Sequence, residues 1–179
     1  EVHTEVARRA RLIELEGGSN NERTGVWVRK MQDALNEVGK ARKGSKVLVL
    51  GVAYKKESDD LRESPALEIL DLLSQKGVVV SYHDPYVPEI IADGHTPPGA
   101  VGVSVAFTDS ALRNADAVMV VTDHSSIDYD RVCNHAQIVI DTRNACAQHE
   151  PRHPERAVVA HAWATLRHMA PDVTVGGGA

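Results

Sequence analysis

The stretch from Lys46 to Pro85 constrains the fold most, because it reads as strand, polar loop, helix and strand in unbroken succession. Lys46-Val-Leu-Val-Leu-Gly51 is a continuous apolar run closed by glycine, the pattern of a strand buried on both faces of a parallel sheet. Residues 52–64 then pack charge into a loop longer than a simple connection needs, and a long charged loop after a buried strand usually carries function. Ser64 can cap the following helix and Pro65 can fill its first position. Ala66, Ile69, Leu70 and Leu73 recur at helical spacing, and Gly77 stands where the chain must leave the helix. The next strand runs from Val78 to Tyr82 and ends at His83-Asp84-Pro85.

The 179 residues suffice for one domain with its own core plus an appendage. A net charge of -5 gives no general attraction for nucleic acid or an anionic membrane, so an anion site here has to be a local cluster of Lys and Arg. No apolar run approaches membrane-spanning length and no basic start precedes an apolar signal core, which leaves the cytoplasm as the default expectation. Cys133 and Cys146 lack metal-ligand spacing and are too few for a disulfide framework, so both read as reduced thiols.

Around the central stretch, residues 2–15 favour a helix with Val6, Ala10 and Ile13 on one face, interrupted by Gly17-Gly18-Ser19-Asn20-Asn21. A second helix carries Val28, Met31, Leu35 and Val38 up to Gly39. Both precede the sheet with none of their own to pack on, as a remnant of a longer connecting helix would. After the second strand, residues 87–102 read as loop. Val103 to Phe107 is then a third strand, Asp109 caps a short helix through Ala115, and Ala117 to Thr122 is a fourth strand. A short helix over 128–134, a fifth strand over 137–141 and a sixth over 157–160 complete the series.

Strands alternating with helices imply an α/β fold, a Rossmann-like doubly wound parallel sheet with right-handed crossovers. In such sheets ligands bind outside the carboxyl ends of the strands, where strand order reverses. With the usual order 3-2-1-4-5-6, the loops starting at Tyr54-Lys55, Thr122-Asp123-His124 and Thr142-Arg143 open into one crevice.

Lys55, Lys56, Arg62 and Arg143 are the cations at these strand ends, and with the helix start at Ser64 they suit a phosphate or pyrophosphate. The competing reading is of solvated loop charges paired with Asp59, Asp60 and Glu63. Gly51-Val-Ala-Tyr-Lys-Lys lacks the second and third glycines of a dinucleotide fingerprint, and the chain has no GxxxxGK[ST] loop. An anion would therefore be held by side chains more than by a glycine cradle. His149-Glu150-Pro151-Arg152-His153 matches the letters of H-E-x-x-H, but Pro151 within that turn opposes the helix a zinc site requires. No metal site is expected, and a zinc hydrolase is the remote reading. His83 and His124 lie at strand ends, where hydrogen-bonded structural histidines are the better reading. Neither cysteine has a neighbouring base that would mark a nucleophile.

Gly51-Val-Ala-Tyr-Lys-Lys, Asp59-Asp60-Leu-Arg-Glu-Ser-Pro-Ala66, Tyr82-His-Asp-Pro85, Val121-Thr-Asp-His124 and Asp141-Thr-Arg-Asn144 together resemble the carboxy-terminal domain of the UDP-glucose/GDP-mannose dehydrogenase family. The resemblance covers residues 13–160, and its wording is closest to UDP-N-acetylhexosamine 6-dehydrogenases. It implies a helical remnant of the central dimerisation region over 1–40, a UDP-sugar-binding domain over 41–160 and an unassigned tail over 161–179.

Family enzymes oxidise the C6 alcohol of a nucleotide sugar to a carboxylate in two NAD-dependent steps through a cysteine adduct, in polysaccharide biosynthesis. By resemblance, Tyr54 and Lys55 would contact the UDP-sugar, Arg143 would hold its nucleotide end, and Arg62 would reach toward NAD on another domain. The chain contains neither the glycine fingerprint of the NAD domain nor the Gly-Gly-x-Cys-x-Pro segment of the nucleophile. It therefore offers no catalytic residue and is expected to be an incomplete enzyme, whose partners are the NAD-binding and central domains. Family members are commonly dimers or larger, which makes a homodimer an open expectation. The alternative is a non-catalytic nucleotide-sugar-binding or regulatory module.

Overall fold

The computed structural model describes residues 20–147 and 158–161. Helix α1 (Asn20–Glu37) leads into strand β1 (Lys46–Leu50), helix α2 (Pro65–Gln75) and strand β2 (Val79–His83). A short antiparallel pair follows, β3 (Glu89–Ile90) with β4 (Gly102–Val103), joined through a 3-10 turn over Pro98–Ala100. Helix α3 (Asp109–Asn114), strand β5 (Ala117–Val120), helix α4 (Tyr129–His135), strand β6 (Ile138–Asp141) and strand β7 (Val158–His161) complete the order.

The main sheet has the order β2-β1-β5-β6-β7, with every neighbouring pair parallel. Alternation along the strands divides two cores. Val47, Val49, Met119, Ile138 and Ile140 face α1 and α2, whereas Leu48, Leu50, Val118, Val120 and Val139 face α3 and α4. The doubly wound architecture expected from the strand and helix alternation is therefore the one observed, and strand order reverses at β1, between β2 and β5.

Three expectations are corrected. Val103 to Phe107 is not a third strand of the sheet: Gly102–Val103 pairs back on Glu89–Ile90, inside the stretch read as loop. Residues 103–105 nevertheless run along β2, where the Val105 amide donates to the Tyr82 carbonyl at 2.8 Å and the Asp84 amide donates to Ser104 Oγ at 3.0 Å. Second, α1 has a sheet to pack on. Val28, Met31, Ala34 and Leu35 are buried in the same core as Val49, Met119 and Ile140, and Thr24 Oγ1 donates to Glu68 of α2 at 2.9 Å. The helix starts at Asn20, within the stretch read as an interruption, and Val38 lies outside it, exposed. Third, Thr108, not Asp109, caps α3, accepting from the Ala111 amide at 3.1 Å.

The expected helix over residues 2–15, the His149–His153 pattern and the tail after His161 lie outside the described residues. Among the described residues no helix is long and apolar enough to cross a membrane, and no group of three or more His, Cys, Asp or Glu side chains could hold a metal ion.

Candidate functional site

The site is built on the turn after β1. Gly51 has φ 75°, the left-handed conformation that glycine adopts without steric cost. Next in the chain, the Val52 and Ala53 amides donate to Asp84 Oδ2 at 2.7 and 3.1 Å. Asp84 closes β2, and its Oδ1 accepts from the Tyr86 and Val87 amides at 2.8 and 3.2 Å. Its side chain is wholly buried, so four amides and the imidazole of His124 stand in for the water that the carboxylate has lost. The amides that would meet a pyrophosphate in a dinucleotide fold are thus already committed to an internal carboxylate. That gives a structural reason for the missing glycines.

His124 follows β5 and is fully buried. Its Nε2 lies 3.0 Å from Asp84 Oδ2, and its Nδ1 accepts from the Glu57 amide at 3.0 Å. The rings of His124 and Tyr86 meet with centroids 4.9 Å apart. His83 is likewise engaged, with Nδ1 2.8 Å from the Val105 carbonyl and the ring stacked on Phe107. Both histidines are hydrogen-bonded parts of the framework.

Between these anchors, residues 53–57 form an arc. Tyr54 is half exposed at its crown, Lys55 beside it is exposed, and the Tyr54 amide donates to the Asp60 carbonyl at 2.7 Å. Lys56 reaches Asp123 at 2.6 Å, and Arg143 Nε lies 3.2 Å from the other oxygen of the same carboxylate. Burial pushes the Asp123 carboxyl up, but the hydrogen bonds from Lys56 and Arg143 outweigh it and hold the group below the usual carboxylate range. Asp123 therefore joins the loops after β1, β5 and β6 through charge. It was not singled out in the sequence, since an aspartate at a strand end is informative only once its partners are known. Arg143 is held from below as well, because Asp141 accepts from the Arg143 and Cys146 amides at 2.9 and 2.8 Å.

Arg62 is not drawn into this cluster. Its guanidinium grips Asp60 through two hydrogen bonds of 2.9 and 2.8 Å, and its side chain is 89% exposed. The reading of paired loop charges fits this residue. Nor does the start of α2 serve as an open anion site: Ser64 accepts from the Ala66 amide at 3.2 Å and donates to the Val52 carbonyl at 2.7 Å, while Pro65 has no amide hydrogen. Cys133 and Cys146 are buried, free thiols in the core beneath α4, where the Asp141 carboxylate lies beside Cys146 and accepts from its amide at 2.8 Å.

The arrangement offers Lys56 and Arg143 at one carboxylate, with the exposed Lys55 next to Lys56 in the chain, at the carboxyl ends of strands on either side of the order reversal. It suits an anionic ligand held by side chains.

Residues 48–148 match the family described as the UDP-glucose/GDP-mannose dehydrogenase family, UDP binding domain. Among curated proteins, UDP-glucose 6-dehydrogenase of Rickettsia bellii is 31% identical over 143 residues, covering 75% of this chain and 31% of that protein. UDP-N-acetyl-D-mannosamine dehydrogenase of Escherichia coli K12 is 32% identical over 146 residues, covering 76% and 33%. The crystal structure of NDP-N-acetyl-D-galactosaminuronic acid dehydrogenase from Methanosarcina mazei Go1 superposes with a TM-score of 0.61 at 30% identity, covering 79% of this chain and 29% of that one. The chain thus spans about a third of the length of these relatives.

Proposed function

Because the chain belongs to the UDP-glucose/GDP-mannose dehydrogenase family, as its UDP-binding domain, we propose that it grips the UDP end of a nucleotide sugar within an NAD-dependent 6-dehydrogenase. The complete enzyme would oxidise the C6 alcohol to a carboxylate, and a UDP-N-acetylhexosamine is the favoured sugar nucleotide. The observation that supports this reading is the meeting of Lys56 and Arg143 at Asp123, beside the exposed Tyr54 and Lys55, where the strand order reverses.

Each residue has a part that its chemistry suits. The Arg143 guanidinium presents a planar fork that matches a phosphate with two parallel hydrogen bonds, while Asp123 orients it from the other side. Lys55 supplies a compact charge to the diphosphate, and Tyr54 offers a ring face and a hydroxyl to the sugar nucleotide. Arg62, exposed and steadied by Asp60, would extend toward NAD carried by another part of the enzyme.

NAD supplies the hydride acceptor when bound, but the described residues do not fit a cradle for it. The Val52 and Ala53 amides already serve Asp84, so no step is assigned to NAD on this chain. The partners are then the NAD-binding and central parts of the dehydrogenase, and the setting is cytoplasmic polysaccharide biosynthesis.

Calorimetric titration of UDP into the purified chain, with NAD alongside, tests the reading. UDP should bind and NAD should not, and Lys55→Ala and Arg143→Ala should each weaken UDP by about tenfold, the worth of one charge-assisted hydrogen bond. Binding of NAD without UDP, or UDP affinity indifferent to both substitutions, would sink it.

A further inference from the structure

We propose that His124 is a positioning residue for the nucleotide-binding arc, a role that rests on the reading of Tyr54 and Lys55 as ligand contacts. The Glu57 amide can only donate, so Nδ1 must accept, and the ring proton then sits on Nε2, where it is donated to Asp84. One imidazole thereby spans both ends of the arc. At the start, Asp84 holds the Val52 and Ala53 amides; at the end, His124 itself holds Glu57.

The tension across this span is visible at Glu57, whose φ of 50° is the left-handed conformation that a residue with a side chain seldom adopts. Such a conformation persists where surrounding bonds over-determine it. Here the Glu57 amide is fixed by His124, and its carboxylate accepts from the Ser125 amide at 2.8 Å, one residue beyond the histidine. That last bond, together with one from the Ser125 side chain, holds the Glu57 carboxyl below its ordinary range. Tyr54 and Lys55 lie between the two fixed ends, outside the buried network yet with their backbone placed by it. His124 touches no ligand in this scheme and acts through the arc.

Two substitutions separate the two ends of the ring. His124→Gln places an amide nitrogen where Nε2 was and keeps the bond to Asp84, but leaves the Glu57 amide without an acceptor. His124→Asn places an amide oxygen where Nδ1 was and keeps Glu57, but loses Asp84. The full chain would be followed by native tryptic cleavage after Lys55 and Lys56, by UDP calorimetry and by thermal midpoint.

Both variants should melt lower than the parent. His124→Gln alone should speed cleavage at Lys55 and Lys56 and weaken UDP by about fivefold or more, the loss expected for one hydrogen bond, with His124→Asn staying near the parent in both. Equal behaviour of the two variants, once scaled to their stability, would reduce His124 to core filling and overturn the proposal. A parent that binds no UDP but shows the cleavage difference would sink the nucleotide reading while leaving the arc assignment standing.

Should neither variant fold, imidazole nitrogen NMR of the parent decides. Nδ1 unprotonated, with Nε2 protonated and a coupling across the Glu57 hydrogen bond, supports the assignment. The opposite tautomer overturns it.

Discussion

A Cβ placed on Gly51 would lie 2.0 Å from the carbonyl oxygen of Thr122, closer than any side chain can approach backbone. The close approach lets Thr122 Oγ1 donate to the Ala53 carbonyl at 2.6 Å, so the turns after β1 and β5 touch through backbone as well as through charge. Gly51→Ala combines this clash with the left-handed φ, and it should cost about 4 kcal/mol or more. Urea unfolding of the purified chain measures it. A loss below about 1 kcal/mol would mean that the two turns can part without consequence.

Ser64 has two duties, capping α2 and satisfying the buried Val52 carbonyl. Ser64→Ala removes both, leaving an acceptor buried without its donor, and about 1–3 kcal/mol of stability should go with them. Its hydroxyl is not assigned to the ligand, so UDP affinity should hold once the protein is folded. Calorimetry on the variant, read beside its urea curve, distinguishes a cap from a ligand contact.

The Asp60 carboxyl is drawn down from its ordinary 3.8 to about 2, chiefly by the side-chain hydrogen bonds from Arg62 and then by the Arg62 amide. A carboxyl whose folded pKa is lowered stabilises the fold above its unfolded value and loses that contribution as pH falls through the folded one. The Asp60 contribution is therefore complete above pH 3.8 and fades toward about 2. Arg62→Ala should return most of the Asp60 titration toward 3.8. Asp93 is also lowered to about 2, but by the His95 and Thr96 amides, and it should not move. Carboxyl carbon NMR across the acid range reads both in one sample, and movement of Asp93 with Asp60 would show a global change instead of a lost pair.

Cys146 is pushed up by its hydrogen bond with Cys133 and by burial, so it stays a thiol when the protein is folded. Iodoacetamide should leave both cysteines unmodified in native protein and alkylate both in denaturant, with native labelling tracking global unfolding. Fast labelling at either site would place that cysteine on a locally open segment. It would also reopen the roles assigned to the loop that carries Arg143.

The sheet was legible because β1, β5 and β6 are largely apolar runs and α2 carries Ser64, Pro65 and Gly77 at the positions that end-chemistry demands. The meeting of the loops after β1, β5 and β6 was legible to the level of the loops, since in a parallel sheet they leave from the same end of the strands. Less visible was anything resting on partners remote in sequence. Asp84 and His124 are 40 residues apart and look like ordinary strand-end polar groups until the fold joins them. Likewise Val103 to Phe107 has the β-branched and aromatic character of a strand, but tertiary context gives only its first residue a regular partner. The packing of α1 was missed for the same reason: its buried face could be read, but not the surface that it covers.

The misread stretch has a consequence for how copies of this protein meet. β2 ends the sheet, and a bare terminal strand offers its unpaired amides and carbonyls as a template for another chain. Here Val105 and Ser104 already occupy part of that margin, and the β3–β4 pair folds over beyond it. The sheet is thus finished on this side by its own chain. Growth by strand addition at the β2 edge would first have to strip that cover, a built-in guard against runaway aggregation along this margin.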